Sequence, residues 1–546
     1  MKTPVITEFQ RTIILSEDEK QSGFWIQDDT HFSDPKTPLF LSFMLPAFLH
    51  GANKAFKRWK YPIDYIALKS SEGYVYQTTI PAPGDPAQQF QEQLKILRPL
   101  FPSLKERLYQ KVEDILLPTY EKIEANSRIN LSLKDALQKT EELYDFYLTA
   151  WEIHFDVVLP QGVLHETLEQ LYKNLTKSDD VTFLHEMLTG VMNKFLESDQ
   201  KLWELAEQAK KNQTLSKIFL HSPANHLQSE LSQADDGQDF LSLLAPIIRE
   251  YGYRKLNNHE FIGETWVENI HEPLSIIQTF IQKDYHFQKE FNHVRTEREH
   301  KYRQLLDRLP DSEQKEEFKQ VYQWALKATC LRDDHHFYID AMLPAKARLL
   351  LLNVGKTMVL NQIMENPEDI FFLYLDEVQQ ALSKPEPLTP LISKRQEEYR
   401  TYQKKKAPAS YGTPSEAQLS SPMLQQIMGS IKETLDDTNR LKGFAASRGK
   451  HTGIVKVIHG PDDASKLEKG DILVCKTTTP TWTVMFAVAG AVVTDAGGVL
   501  SHSGIVAREY QIPAVVGTKV ATTNLKDGDM ITVDGTNGVV TIEKQK

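Results

Sequence analysis

The sequence predicts a multidomain α plus α/β chain, with a large, mainly helical domain followed by a small β/α domain. Three observations predict this. Thirteen of the 25 glycines fall in the last 106 of the 546 residues. Charge divides at the same place: from Leu441 onward there are 12 basic and 10 acidic residues, a balance of +2, and the rest of the −11 chain is −13. Apolar spacing changes there too. Before it, apolar residues recur at threes and fours, as on one face of a helix; after it, short β-type runs alternate with turn residues. The predicted boundaries are a helical domain over 1–390, a tether over 391–440 and the small domain over 441–546.

Taken in order, the stretch 61–79 contains Tyr74, Val75 and Tyr76 and predicts two short strands. Leu104, Leu108, Val112, Ile115 and Leu116 line one face of a helix that Pro118 is expected to end. Leu196, Leu202, Trp203 and Leu205 predict another helix, and Phe318, Val321, Tyr322 and Ala325 a third. The pattern fails after Ser383, with Pro385, Pro387 and Pro390, a charged run at Lys404, Lys405 and Lys406, then Pro408, Gly412, Pro414 and Pro422. There 392–405 can be helical, and the remainder reads as a tether of restricted freedom. In the small domain, strands are expected at 453–458, 471–476, 491–494, 514–516, 530–533 and 539–542. Gly535-Thr536-Asn537-Gly538 supplies the turn between the last two, and 501–510 reads as a short helix.

Composition excludes several classes. A net charge of −11 and a pI of about 5.9 argue against a nucleic-acid partner, which needs a basic surface to displace counterions. Two cysteines, Cys330 and Cys475, make neither a disulfide framework nor a cysteine zinc site. Residues 1–20 mix charges of both signs without an apolar core, unlike a signal peptide. The longest apolar stretch, 484–493, is about half of the ~20 residues that a membrane span needs. No membrane partner is expected, and the expected compartment is the cytoplasm.

The informative run is Thr494-Asp495-Ala496-Gly497-Gly498-Val499-Leu500-Ser501-His502-Ser503-Gly504-Ile505-Val506-Ala507-Arg508-Glu509. A strand enters a Gly-Gly turn, and Ser501 stands where an N-cap belongs. His502 then falls in the first helical turn, beside unpaired N–H groups and the positive end of the macrodipole. Gly497 and Gly498 remove side chains that would block a large partner. A histidine at a helix start is usually only an exposed cap residue. Placed here it can also act as a nucleophile whose phosphoryl adduct the helix terminus stabilises.

The flanks favour the second reading. With Thr477-Thr478-Thr479-Pro480-Thr481-Trp482-Thr483 before it and Gln511-Ile512-Pro513-Ala514-Val515-Val516-Gly517 after it, the run resembles a known domain. That domain is the phosphohistidine swivelling (PEP-utilising enzyme mobile) domain of phosphoenolpyruvate synthase, pyruvate phosphate dikinase and rifampicin phosphotransferase. The match departs at Gly504, usually Ala, and at Gln511, usually Gly. The resemblance implies that His502 carries the phosphoryl group, with Thr494, Gly497, Gly498 and Ser501 around it. It also implies a domain charged at an ATP-grasp module that then swings to deliver its load. No Gly-rich ATP-grasp sequence is found, and 1–440 is too helical to be one. ATP and Mg²⁺ are therefore expected on a separate ATP-grasp subunit.

The body resembles, through shorter motifs, the acceptor-binding region of rifampicin phosphotransferase and phenylphosphate synthase-type subunits. The motifs are the opening run from Trp25 to Leu39 ending in Thr37-Pro38-Leu39, then Tyr251-Gly252-Tyr253-Arg254 with Thr265-Trp266-Val267-Glu268, and Arg332-Asp333-Asp334-His335-His336. Arg332 and His336, four apart, would share a helix face and steady a phosphoryl group in transit. The family more often has Lys or Arg at the second position, so His336 makes that role depend on pH. Gln27, Asp28 and His31 are placed at the acceptor, where a hydroxyl would need a general base. A metal site from Asp333, Asp334, His335 and His336 is not expected, because consecutive helical positions diverge. His154 reads as a core residue. The tryptophans and tyrosines could line an aromatic acceptor pocket or simply form helix core.

The expected activity is that of a dikinase-like phosphotransferase component acting on a small-molecule acceptor. Two alternatives remain: a condensing enzyme working through an acyl phosphate, and a phosphohistidine relay without enzymatic activity.

Overall fold

The computed structural model describes residues 7–29, 31–178, 180–255, 259–405, 407–420, 435–436, 439–459, 463, 466–478, 482–498 and 501–543. The side chains of 417, 420, 435, 436, 483, 484 and 502 lie outside the described part. The fold class is the expected one, helical with a C-terminal β/α domain. The chain forms two compact units, the first from 1–164, 258–263 and 335–431, the second from 165–257, 264–334 and 432–546. Of the expected tether, Thr389–Gln403 is helical, while 406, 421–434 and 437–438 lie outside the described residues.

In the first unit a four-stranded antiparallel sheet runs Ile63–Ser71, Tyr74–Pro81, Trp25–Gln27, Ser410–Tyr411 in spatial order. The first two form a hairpin whose turn residues, Glu72 and Gly73, have φ of 52° and 78°, the left-handed pair that matches the twist of the strands. Helix Pro38–Trp59 starts with proline in its first turn, where a missing N–H costs nothing. It crosses helix Leu133–Thr176 closely: a Cβ on Gly51 would lie 2.3 Å from the Trp151 carbonyl oxygen, so only glycine permits this crossing.

Pro118 does not end its helix. Leu104–Lys111 opens into a π-turn, Val112–Leu116, and continues as Leu117–Ser127. The Leu117 N–H reaches back to the Val112 carbonyl, and this wider spacing leaves Pro118 in a fresh first turn that needs no N–H from it.

In the second unit, Leu202, Phe219, Phe240, Trp266, Ile277 and Phe280 form the centre of a helical core. The C-terminal segment is built on a nine-stranded mixed sheet. Lys450–Val457, Ile472–Cys475, Ala491–Thr494 and Ala514–Val516 are parallel neighbours at its heart. Leu473, Val492 and Val516 pack on one face, and Ile472, Val493 and Val515 on the other. Burial on both faces explains why these strands read as continuous apolar runs rather than as alternation. All six expected strands are present. Arg440–Lys442 and Phe444–Ser447, which the sequence did not announce, extend the sheet. Among the described residues, no helix is long and apolar enough to cross a membrane.

Candidate functional site

Strand Ala491–Thr494 delivers the chain to the Gly-Gly turn, and helix His502–Glu509 leaves it. Thr494 is fully buried, and its hydroxyl donates to the Ala496 carbonyl at 2.7 Å. It therefore braces the turn. Asp495 extends the brace by accepting from the Thr522 N–H at 3.0 Å and from the Thr522 hydroxyl.

Gly497 has φ of 108°, and a Cβ there would lie 2.7 Å from Ser501 Oγ. Its requirement is conformational. Gly498 faces open space: a Cβ added there would meet nothing within 4 Å. Ser501 adopts an extended N-cap backbone, and its Oγ accepts from the Gly504 N–H at 3.5 Å, a long bond. His502 is the first helical residue, as expected, and its side chain lies outside the described part. One pair escaped the sequence reading: the buried hydroxyls of Thr478 and Ser503 meet at 2.7 Å and tie the helix start to the preceding loop.

Farther along the same helix, Ile505, Arg508 and Glu509 line a cleft with Arg332, Asp333, His165, His185 and Cys330, all in the second unit. Arg508 is buried and donates to the Ala446 carbonyl at 2.5 Å. Burial first, and then the Arg332 guanidinium, bring its pKa down to about 9. Burial raises Glu509 to about 7, although its carboxylate accepts the Gly190 N–H at 2.8 Å. Burial and the charge of Arg332 push His165 down to about 3, so it is neutral, and its Nε2 has no hydrogen-bond partner. Arg332 thus faces a cleft of mixed charge that the helix begun by His502 helps to wall.

The motifs containing Arg254 and Trp266 serve a different end. The Arg254 guanidinium lies 4.4 Å from the Trp266 ring and 4.9 Å from that of Phe195, buried with Ser198 Oγ 3.0 Å away. They brace the helical core.

In the first unit, Asp28, His31 and His336 fall within one group of acidic and imidazole side chains. His31 Nδ1 is 3.0 Å from both Asp28 carboxylate oxygens, and the His31 N–H donates to Asp28 Oδ1. Burial works to raise the Asp28 carboxyl, but the His31 imidazole outweighs it and holds it below the usual range. Asp28 raises His31 to about 9, a pull partly screened because 53% of that side chain meets solvent. His336 Nδ1 bonds Asp340, which its histidine neighbours hold well below the carboxylate range against burial. Despite their spacing, Arg332 lines the cleft of the second unit, whereas His336 bonds Asp340 in the first. Gln27 is a strand residue whose N–H donates to the Ala409 carbonyl at 2.9 Å.

His259 was missed. Its Nδ1 is 3.1 Å from the His31 carbonyl oxygen, its ring lies 5.5 Å from Phe32, and burial lowers it to about 4. Its neighbour Glu260 explains the Thr37-Pro38-Leu39 motif by accepting from the Thr37 N–H at 2.8 Å and the Thr37 hydroxyl at 2.6 Å. No spacing in the sequence could have linked residues 28, 31, 259, 336 and 340.

Two family models match this chain. Residues 467–538 match the PEP-utilising enzyme mobile domain, and 154–333 the rifampicin phosphotransferase fourth domain. The uncharacterized phosphotransferase YvkC of Bacillus subtilis (strain 168) is 38% identical over 98% of this chain and 63% of its own length. Rifampicin phosphotransferase of the same strain is 28% identical over 59% of this chain and 37% of its own. A probable phosphoenolpyruvate synthase of Archaeoglobus fulgidus is 50% identical over 110 residues, which are 20% of this chain and 15% of its own. The chain spans less than two thirds of each of these relatives.

Proposed function

We propose that this chain, which carries a PEP-utilising enzyme mobile domain and a rifampicin phosphotransferase fourth domain, is a phosphotransferase component working through a phosphohistidine. The observation that carries the reading is the helix start: His502 follows a capping Ser501 and a glycine turn that only glycine can make at 497. An imidazole nitrogen there attacks the β-phosphorus of ATP on a separate ATP-grasp subunit. The N–P bond forms as the bond to AMP breaks, and water takes the γ-phosphoryl group as phosphate. Mg²⁺ would accompany the nucleotide on that subunit, and no residue of this chain is assigned to it. The positive helix end lowers the energy of the phosphorylated imidazole.

The carrier then presents the group to a small molecule held by the helical body. An acceptor oxygen attacks phosphorus, the N–P bond breaks, and His502 regains its lone pair. Arg332 is proposed to neutralise the phosphoryl oxygens in transit. His31, oriented by Asp28, is proposed to take the acceptor's proton, as in other carboxylate–imidazole pairs. His336 is proposed to act at the same acceptor centre, and the acceptor is proposed to be a hydroxyl compound.

The test is labelling with β-labelled ATP and the partner subunit. The wild type should gain an acid-labile, base-stable label, and His502→Ala should gain none while melting at the wild-type temperature. A folded His502→Ala protein that still takes label would remove the assignment.

A further inference from the structure

Three side chains from two elements converge inside the first unit. His154 comes from helix Leu133–Thr176, and His335 and Asp340 come from the helix that widens into the π-turn His336–Ala341. Their exposures are 8%, 4% and 3%, and one ligand atom from each lies within 4.8 Å of the others. His154 Nδ1 stands 3.4 Å from Asp340 Oδ1, and His335 Nε2 stands 4.0 Å from Asp340 Oδ2.

These separations are informative. His154 Nδ1 and Asp340 Oδ1 are both buried, and neither has a hydrogen-bond partner although they face each other. A charge-assisted hydrogen bond would draw such atoms to about 2.7–2.9 Å. Two ligand atoms each about 2.0–2.1 Å from a shared tetrahedral ion stand about 3.3–3.4 Å apart. The rings of His154 and His335 meet at 80° with centroids 4.8 Å apart, so they are not stacked face to face.

The backbone contributes to the arrangement. Residues five apart on a regular α-helix diverge by about 140°. Here the Met342 N–H reaches back five residues to the Phe337 carbonyl, and that wider turn brings His335 and Asp340 to one side. His336 Nδ1 holds Asp340 Oδ2, the kind of outer hydrogen bond that orients a ligating carboxylate.

We propose that His154, His335 and Asp340 bind one divalent d-block cation, with Zn²⁺ the best match. Two imidazoles and one carboxylate suit such ions, whereas Mg²⁺ and Ca²⁺ prefer all-oxygen sites. Three protein ligands leave a fourth position for water or a ligand oxygen. The proposal does not depend on the phosphoryl-transfer reading, because it concerns binding alone.

The experiment uses the full chain, stripped with chelator and dialysed, then titrated with Zn²⁺ against a chromophoric competitor and separately with Co²⁺. The expected result is one tight equivalent of Zn²⁺ per chain and a Co²⁺ visible spectrum of low-coordinate nitrogen–oxygen type. His154→Gln and Asp340→Asn each remove a direct ligand and should weaken binding by more than the roughly 10- to 100-fold that losing an outer hydrogen-bond partner costs. His50→Gln, outside the triad, should bind as the wild type does. Melting of the metal-free variants identifies any that fail to fold, and the wild-type titration stands without them. No stoichiometric Zn²⁺ binding at micromolar metal, or a folded His154→Gln protein that binds like the wild type, would overturn the site.

Discussion

At the scale of single residues, the sharpest expectation concerns a proton. Asp28 raises His31 to about 9, so at neutral pH the imidazole keeps a proton that a general base must first give up. If His31 takes the acceptor's proton, delivery from phosphorylated His502 should climb roughly tenfold per pH unit below that value and level off above it. His31→Gln should be slow and nearly flat over the same range. Single-turnover decay of labelled protein in the presence of acceptor gives the profile, and a flat wild-type curve would take His31 out of the step. Gly497 gives a second test. Its φ of 108° and the 2.7 Å approach to Ser501 Oγ make Gly497→Ala strained, at a cost of about 1–3 kcal/mol. A lowered melting temperature, together with slower labelling of His502, is the expected pair of readouts.

At the scale of elements, helix His502–Glu509 begins at the proposed nucleophile and ends in a buried contact, Glu509 with the Gly190 N–H. Glu509, raised to about 7 by burial, prefers to be neutral while it accepts the Gly190 N–H. Burial of the neutral carboxyl contributes stability that is fully present below the ordinary value of 4.5 and is lost as pH rises through about 7, outweighing the Gly190 hydrogen bond, which favours the charged form. Glu509→Gln should therefore protect the Gly190 amide better than wild type does at pH 8, with little difference at pH 5. Hydrogen exchange compared at each pH reads this directly.

This helix and the six strands around it were legible because each is local. Turn glycines, a cap serine and short apolar runs lie within a few residues of one another. The π-turns at 112–116 and 336–341 were not legible, since no residue pattern distinguishes a turn closed five residues back from one closed four back. Nor was the grouping of Asp28, His31, His259, His336 and Asp340, which arrives from three separate stretches of chain.

At the scale of the whole molecule, the chain passes between its two units five times, an interleaving that composition along the sequence cannot reveal. Under the proposed phosphohistidine function, one imidazole would serve two remote reactions and the entire C-terminal domain would have to travel, since a side chain reaches only a few ångströms. Ser410–Tyr411 is held as a strand of the first unit's sheet, so the reach available is that of the shorter stretch 421–434, at most roughly 46 Å for 14 residues at ~3.3 Å each. Deleting ten residues from 421–434 should slow net transfer while leaving acceptor binding unchanged, as measured by turnover alongside equilibrium binding. An undiminished turnover would point to a fixed composite site instead.

The Ile542 N–H donates to the Asn439 carbonyl at 3.0 Å, and Arg440–Lys442 pairs with the last strand, Val539–Ile542. The C-terminal sheet thus begins and finishes at the same spot. A gene segment encoding it can be spliced into another protein through a single surface opening, without parting any strand from its neighbour. Such portability is a physical basis for the near-autonomous inheritance of these hundred or so residues, whose counterpart in an archaeal relative makes up 15% of that longer chain.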